Sequence, residues 1–514
     1  MPRIILALLL LSITCGAYTQ DWQCFRPGVK YFFKDPMIQA EQEVKSLRID
    51  SSGTSAGYTY HHFASTIRST GDFAACYTVH GDSWMGQGML VYPDGRNCFF
   101  NHNADTITIN TKAEVNSSWK MCSASAGNSV YASVSWKMVS QVLGSTDSVK
   151  LIDLQVRDSM GNNVIHPFNN IFIVLSKSYS LIDVINLYIF PDTIGFWWQI
   201  PLNEPLQRFS LAGYDAPATG TTNLTYAQAF DFNPGDEFHS LAMDVWTLPP
   251  PSHHDTTYEI RKILQRIEYP GNDSVSYAVH RMSHHIYYYA GTLMYNTYIN
   301  DTILETYSNL SETGRAVSQL PGEVIWDSAG LAQTEVYTNS MQLRSDSRRE
   351  KVLPSYYYHF IDTGDEDCLA VPIFDFCTGD ACYIEGLGGP YGSCEYFENF
   401  YRRELVYYSQ GDTSWGTPLD PGVVLLIPEL KEGNKGDIRV YPMPVKDRLV
   451  VEIHNADCNS CLLRIRNILG EEIIQQVMTL ENNELSLSVP SGLYIIQIQQ
   501  DHRILYTGKV IVTQ

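Results

Sequence analysis

Basic residues are scarce in this chain. Lys and Arg number 35 against 56 Asp and Glu in 514 residues, giving a formal charge of -21 at pH 7, and charged residues of both signs make up only 18%. Such a balance repels phosphate backbones and anionic lipid, so nucleic acid is not an expected partner. Long apolar runs are also rare. Residues 4–13 are apolar apart from Ser12, too short a stretch for a bilayer, which takes about 20 residues. Residues 171–190 are longer, but Lys177 and Asp183 interrupt them at depths where a charge is costly. Long amphipathic helices and internal repeats are absent, and with them helical bundles and solenoids.

What is present is an apolar, aromatic-rich composition: 44% hydrophobic and 12% aromatic, with 33 tyrosines. That is enough to build packed cores, and the length predicts two to four domains. The start of the chain has the layout of an export signal. Met1-Pro2-Arg3 supplies a short basic start, the apolar run follows, and Cys15-Gly16-Ala17 offers small residues for cleavage, so residues 1–19 are expected to be a signal peptide.

Cysteine usage agrees with export. Of the 11 cysteines, ten remain after signal removal, in three even sets: Cys24, Cys76, Cys98 and Cys122; Cys368, Cys377, Cys382 and Cys394; Cys458 and Cys461. The expectation is full oxidation, with pairing able to close within each set. A four-thiolate zinc site at the second set is the alternative, but its spacing contains only one short knuckle.

The central chain has the grammar of antiparallel strands. Residues 85–92 lead into Pro93-Asp94-Gly95, residues 105–110 alternate β-branched side chains, and residues 148–156 alternate up to Met160-Gly161-Asn162-Asn163. Residues 260–269 and 274–282 repeat the pattern around Pro270-Gly271-Asn272-Asp273, while residues 139–143 suggest one helical turn. The expected fold is mainly β, with antiparallel sheets as barrel or sandwich modules. Small and polar residues 218–222 suggest a boundary between a first module, 20–215, and a second, 216–415; residues 416–436 resemble a linker.

Residues 437–514 contain seven short strand candidates, the count of a small immunoglobulin-like β-sandwich. Val440-Tyr441-Pro442-Met443-Pro444, Leu469-Gly470, Pro490-Ser491-Gly492-Leu493-Tyr494 and Lys509 follow in order. In these residues the segment resembles the C-terminal sorting domain of proteins secreted by the type IX system of Bacteroidota, with Met443 where that family usually has Asn. The resemblance implies Sec export, delivery to the surface or medium, and the type IX machinery as partner, with Tyr441, Pro442, Pro444, Gly470, Pro490, Gly492, Tyr494 and Lys509 as the sorting motif. Residues 230–239, 383–389, and 405–411 with Trp415-Gly416-Thr417-Pro418 resemble segments shared by secreted Bacteroidota proteins without an assigned activity.

Catalytic signals are thin. Gly53-Thr54-Ser55-Ala56-Gly57 has the spacing of a nucleophile elbow, but neither a buried strand before it nor a helix after it is evident. His253-His254-Asp255 and His284-His285 offer imidazoles, yet adjacent strand residues face opposite ways, so each doublet gives one ligand at most. Asp231, Asp236 and Glu237, and the acids of residues 362–367, are explained by turns before calcium. The reading is therefore no metal, no cofactor, no assigned catalytic residue and an unknown ligand: an exported protein whose central region is a non-catalytic binding module, with an extracellular polymer hydrolase as the alternative.

Overall fold

The computed structural model describes residues 22–36, 42–70, 76–124, 127–192, 208–247, 250–269, 273–327, 335–354, 358–360, 368–370, 380–396, 399–424, 438–442, 444–453, 461–467, 472–478, 483–500 and 503–513. The chain is mainly β, its sheets antiparallel, and among the described residues none closes into a barrel. It falls into two compact units, one from the residues up to Pro418 (Met282–His284 excepted) and one from Leu419 to Gln514. The expected signal peptide and most of the linker lie outside the described residues. Among the described residues no helix is long and apolar enough to cross a membrane.

In the first unit a row of antiparallel strands runs from Thr106–Asn110 through Arg96–Phe100, Gly88–Val91, Tyr58–Phe63, Gln42–Ser55 and Lys30–Lys34. It continues through Arg208–Asp215, Ser180–Ile185, Phe172–Ser176, Ser145–Arg157 and Ser129–Val142 to Ser118–Ser123. Period-2 alternation explains the face: Val130, Ala132 and Val134 on one strand and Ile152, Leu154 and Val156 on its neighbour are buried, with the intervening residues half-buried. They join Phe25, Phe33, Phe63, Phe99 and Phe168 in one core. Each such side chain removed from water contributes about 1.5–3 kcal/mol. Residues 139–143 are not a helical turn. They end Ser129–Val142, and Leu143-Gly144, both at positive φ, turn the chain into its antiparallel partner.

The expected modules 20–215 and 216–415 share this unit. The strand Gln42–Ser55 pairs at its start with Ser340–Leu343, from which a second row continues through Arg349–Leu353, Ala381–Ile384, Gly388–Tyr396, Asn399–Gln410 and Glu237–Trp246 to His253–Glu268. A smaller sheet mixes the halves again, with Thr66–Ser69 and Tyr77–Gly81 beside Leu369–Ala370, Tyr358–Phe360, Glu335–Thr338 and Val324–Asp327. Phe32, Val44, Leu224, Leu320 and Met341 form a core cluster drawn from both halves. The small, polar stretch near 218 is a paired strand, Ala218–Gly220, against Gly213–Asp215.

Disulfide pairing does not close within each set. Cys76 is bonded to Cys368 across the two halves. Cys24, Cys98, Cys122 and Cys382 are thiols, which corrects the expectation of full oxidation. Three of them are core residues, where Cys packs as a small hydrophobe, and burial pushes the Cys122 thiol up to about 12. Cys394 and Cys461 are disulfide-bonded as well. With Cys368 and Cys394 in disulfides, the four-thiolate zinc alternative is excluded.

The second unit is a two-sheet sandwich. Ile438–Tyr441, Arg448–Ile453 and Asn483–Ser486 form one sheet. Glu472–Met478, Cys461–Asn467, Gly492–Gln500 and Arg503–Val512 form the other, in that order. Leu449, Val451, Leu463, Ile465, Ile496 and Ile498, among others, fill the core between them.

Candidate functional site

Three segments far apart in sequence meet at one cleft of ≈ 590 Å³. The first is the turn 230–236, which supplies Asp231, Asn233, Pro234 and Asp236; the second is the loop holding Glu385 and Gly386; the third is the end of Asn399–Gln410, with Gln410 and Gly411. Arg348 completes the lining. These are the segments singled out above as a second resemblance, and the fold gives them a common location.

Local chemistry explains the convergence. Phe230 and Phe232 are buried, and Tyr277 fixes the backbone between them: its hydroxyl donates to the Phe230 carbonyl at 2.7 Å and accepts from the Phe232 amide at 3.0 Å. Asp231 is thereby turned outward, where it pairs with Arg266. Phe230 stacks on Tyr307 at 3.8 Å between ring centroids. The Gly-rich loop then approaches closely. Gly388 has φ +81, and a Cβ there would lie 3.1–3.3 Å from the Phe230 and Phe232 rings, which explains glycine at that position.

Gln410 binds the cleft together. Its side-chain amide donates to the Gly386 carbonyl at 2.6 Å and to Asp236 Oδ2 at 3.3 Å, while its Oε1 accepts from Arg348 Nη2 at 3.2 Å. Asp236 is almost fully buried and also accepts from the Asn233 amide at 2.8 Å. Burial alone would raise the Glu385 carboxyl, but Arg349, bonded to both its oxygens, outweighs this and holds it below the usual carboxylate range. Arg348 lies over the Tyr408 ring at 4.8 Å, and Tyr408 stacks with Trp415 at 6.0 Å.

The remaining candidates do not meet here. Ser55 pairs with Tyr58 at the end of a strand, so Ala56-Gly57 is a two-residue hairpin turn with Gly57 at φ 100, and no helix follows; the elbow reading fails on this backbone. Glu237 points away from the cleft acids, to His239 and Lys262. His285 Nε2 contacts Asp255 Oδ1 at 2.6 Å, bringing one residue of each His-rich pair together, while His253 stacks between Trp246 and Tyr287 and His284 is buried. Among the described residues no three His, Cys, Asp or Glu side chains gather as a metal site. Residues 362–367 lie outside the described residues. A second cavity of ≈ 240 Å³ has Arg48 and Glu323 in its wall, already paired with each other.

Of the residues expected to form the sorting motif, those that the structure describes lie in the sandwich of the second unit. Tyr441 ends the first strand, exposed, with its hydroxyl on Glu452. Pro442 and Pro444 are exposed and have no N–H to donate, which suits an edge. Val445 just beyond is fully buried, donating its amide to Ile511 and accepting from Thr513, both at 2.8 Å. Tyr494 is buried with its hydroxyl donating to the Pro490 carbonyl at 2.8 Å, a link of the tyrosine-corner kind. Gly492 opens the strand that carries Tyr494, and Lys509 faces solvent opposite Ile495. Gly470 lies outside the described residues.

The second unit is thus an edge-protected β-sandwich at the C-terminus. Residues 439–513 match the family of secretion system C-terminal sorting domains. The match indicates export by type IX secretion, with the protein released or held at the cell surface, and implies interaction with that secretion system. No curated protein matches the chain significantly.

Proposed function

We propose that the chain is an exported, non-catalytic binding protein whose ligand enters the cleft between Asp236, Arg348 and Gln410. In this reading residues 1–19 are a signal peptide, 216–415 contain the binding site, 416–436 are a linker and 437–514 are the sorting domain bearing the motif residues. The observation that carries it is the convergence of three segments on a cleft whose acids are already engaged: Asp231 by Arg266, Glu385 by Arg349, Asp236 by amides. A glycosidase needs one carboxyl kept protonated near neutral pH beside a second that is ionised. Glu385 is biased the other way. Fixed polar groups around an open cleft suit recognition.

The test is turnover. Incubated with chromogenic glycosides, casein and nitrophenyl esters, the full chain should release no product. A turnover that disappears in Asp236→Asn would overturn the reading in favour of the hydrolase.

A further inference from the structure

We propose that the cleft takes a neutral oligosaccharide, with a sugar ring against Trp415 and neighbouring hydroxyls held by Arg348 and Asn233. This inference rests on the cleft being the binding site.

The hydrogen-bonding groups in its lining argue for hydroxyls. A sugar hydroxyl both donates and accepts, so it needs both kinds of partner within reach. The cleft has acceptors in Asp231 and Asp236 and donors in Asn233 and Arg348. Arg348 Nη1 is buried and has no hydrogen-bond partner in the protein.

Charge and shape exclude other classes. Asp231 and Glu385 are balanced by Arg266 and Arg349, so the lining has no surplus of free carboxylates for a cation, and the -21 net charge disfavours polyanions. Among the described lining residues Pro234 is the one with a hydrocarbon side chain. At ≈ 590 Å³ the cleft falls within the usual range for small-molecule sites, about 300–1,000 Å³. Along the strand that ends at Gln410 lies a pair of aromatic rings. Tyr408 and Gln410 share a strand face, Trp415 pairs directly opposite Tyr408, and Trp415 is 55% exposed. An exposed indole seated on a second ring presents a rigid plane to the C–H face of a pyranose.

The experiment titrates the full chain with neutral oligosaccharides of glucose, galactose and N-acetylglucosamine, β- and α-linked, and follows intrinsic tryptophan fluorescence and ligand-observed NMR. At least one probe should bind, and Trp415→Ala, a change at an exposed ring, should weaken it about tenfold, as should Arg348→Ala. Circular dichroism of each variant checks that the fold is kept. Absence of binding by every probe, or binding unchanged in both folded variants, overturns the saccharide assignment. Binding accompanied by new reducing ends supports the saccharide class and overturns the non-catalytic reading. Binding of short peptides at the cleft in place of sugars overturns the saccharide class and leaves the binding reading standing.

Discussion

Cys76 and Cys368 lie 292 residues apart and are joined by a disulfide. Each stands one residue before a member of the register pair Tyr77 and Leu369, so the bond covers the point where the two halves of the first unit share a sheet. A cross-link closing so long a loop restricts the unfolded chain, and removing a native disulfide typically costs about 2–5 kcal/mol. The double substitution Cys76→Ser with Cys368→Ser should therefore lower the denaturant midpoint. An unchanged midpoint would show that sheet pairing alone holds the halves.

Thiol labelling distinguishes the cysteines. Alkylation of denatured, unreduced protein followed by peptide mapping should modify Cys24, Cys98, Cys122 and Cys382 and spare Cys76 and Cys368. In the native protein Cys24 and Cys122 should react far more slowly, since both are buried and their thiols are pushed up by desolvation. Rapid native labelling of Cys24 would contradict its place in the core.

Lys351 gives a pH signature. It is fully buried, donating to Asn223 Oδ1 and the Gln319 carbonyl at 2.7 Å each, and desolvation drives its pKa well below the ordinary lysine value, with Arg349 adding to the effect and Glu323 opposing it. A folded pKa below the unfolded one means that the unfolded chain binds more protons in the window between them, so stability rises with pH there. The window runs from the folded pKa to about 10.4, and the slope reaches at most about 1.4 kcal/mol per pH unit. Lys351→Met removes this gain. Urea melts across the alkaline range should give a difference between wild type and variant that grows with pH; parallel curves would mean Lys351 titrates normally.

Tyr494 tests the sandwich. Tyr494→Phe keeps the ring in the core and removes the bond to the Pro490 carbonyl, which should cost about 1 kcal/mol by chemical denaturation of the second unit's transition. A neutral result would remove the corner from the account of this unit's stability.

Export is tested by deletion. Without residues 437–514 the remaining chain should fold but stay in the periplasm of a type IX-competent host, as read by fractionation. Normal arrival of the truncated protein at the surface would rule out the sorting role.

The residues by themselves determined the local structure. Strand positions in the second unit follow from alternation and turn chemistry: the seven short candidates expected over residues 437–514 include Ile438–Tyr441, Arg448–Ile453 and Cys461–Asn467, because period-2 burial and turn residues act over a few positions. The residues expected as a sorting motif are local as well, and their order survives any packing. Tertiary structure alone decided the rest. No spacing rule links Cys76 to Cys368, or separates them from the buried thiol Cys24, since the difference is one of distance in space. Small and polar residues such as 218–222 mark module boundaries and turns alike; only the pairing of Gln42 with Leu343 shows that the chain doubles back across that point. The cleft is the clearest case. Phe230, Gly388 and Gln410 each have a local reason to be where they are, but their meeting depends on strands far apart in sequence entering one sheet, with Glu237 paired to Ser409, and long-range pairing leaves no periodic trace in the sequence.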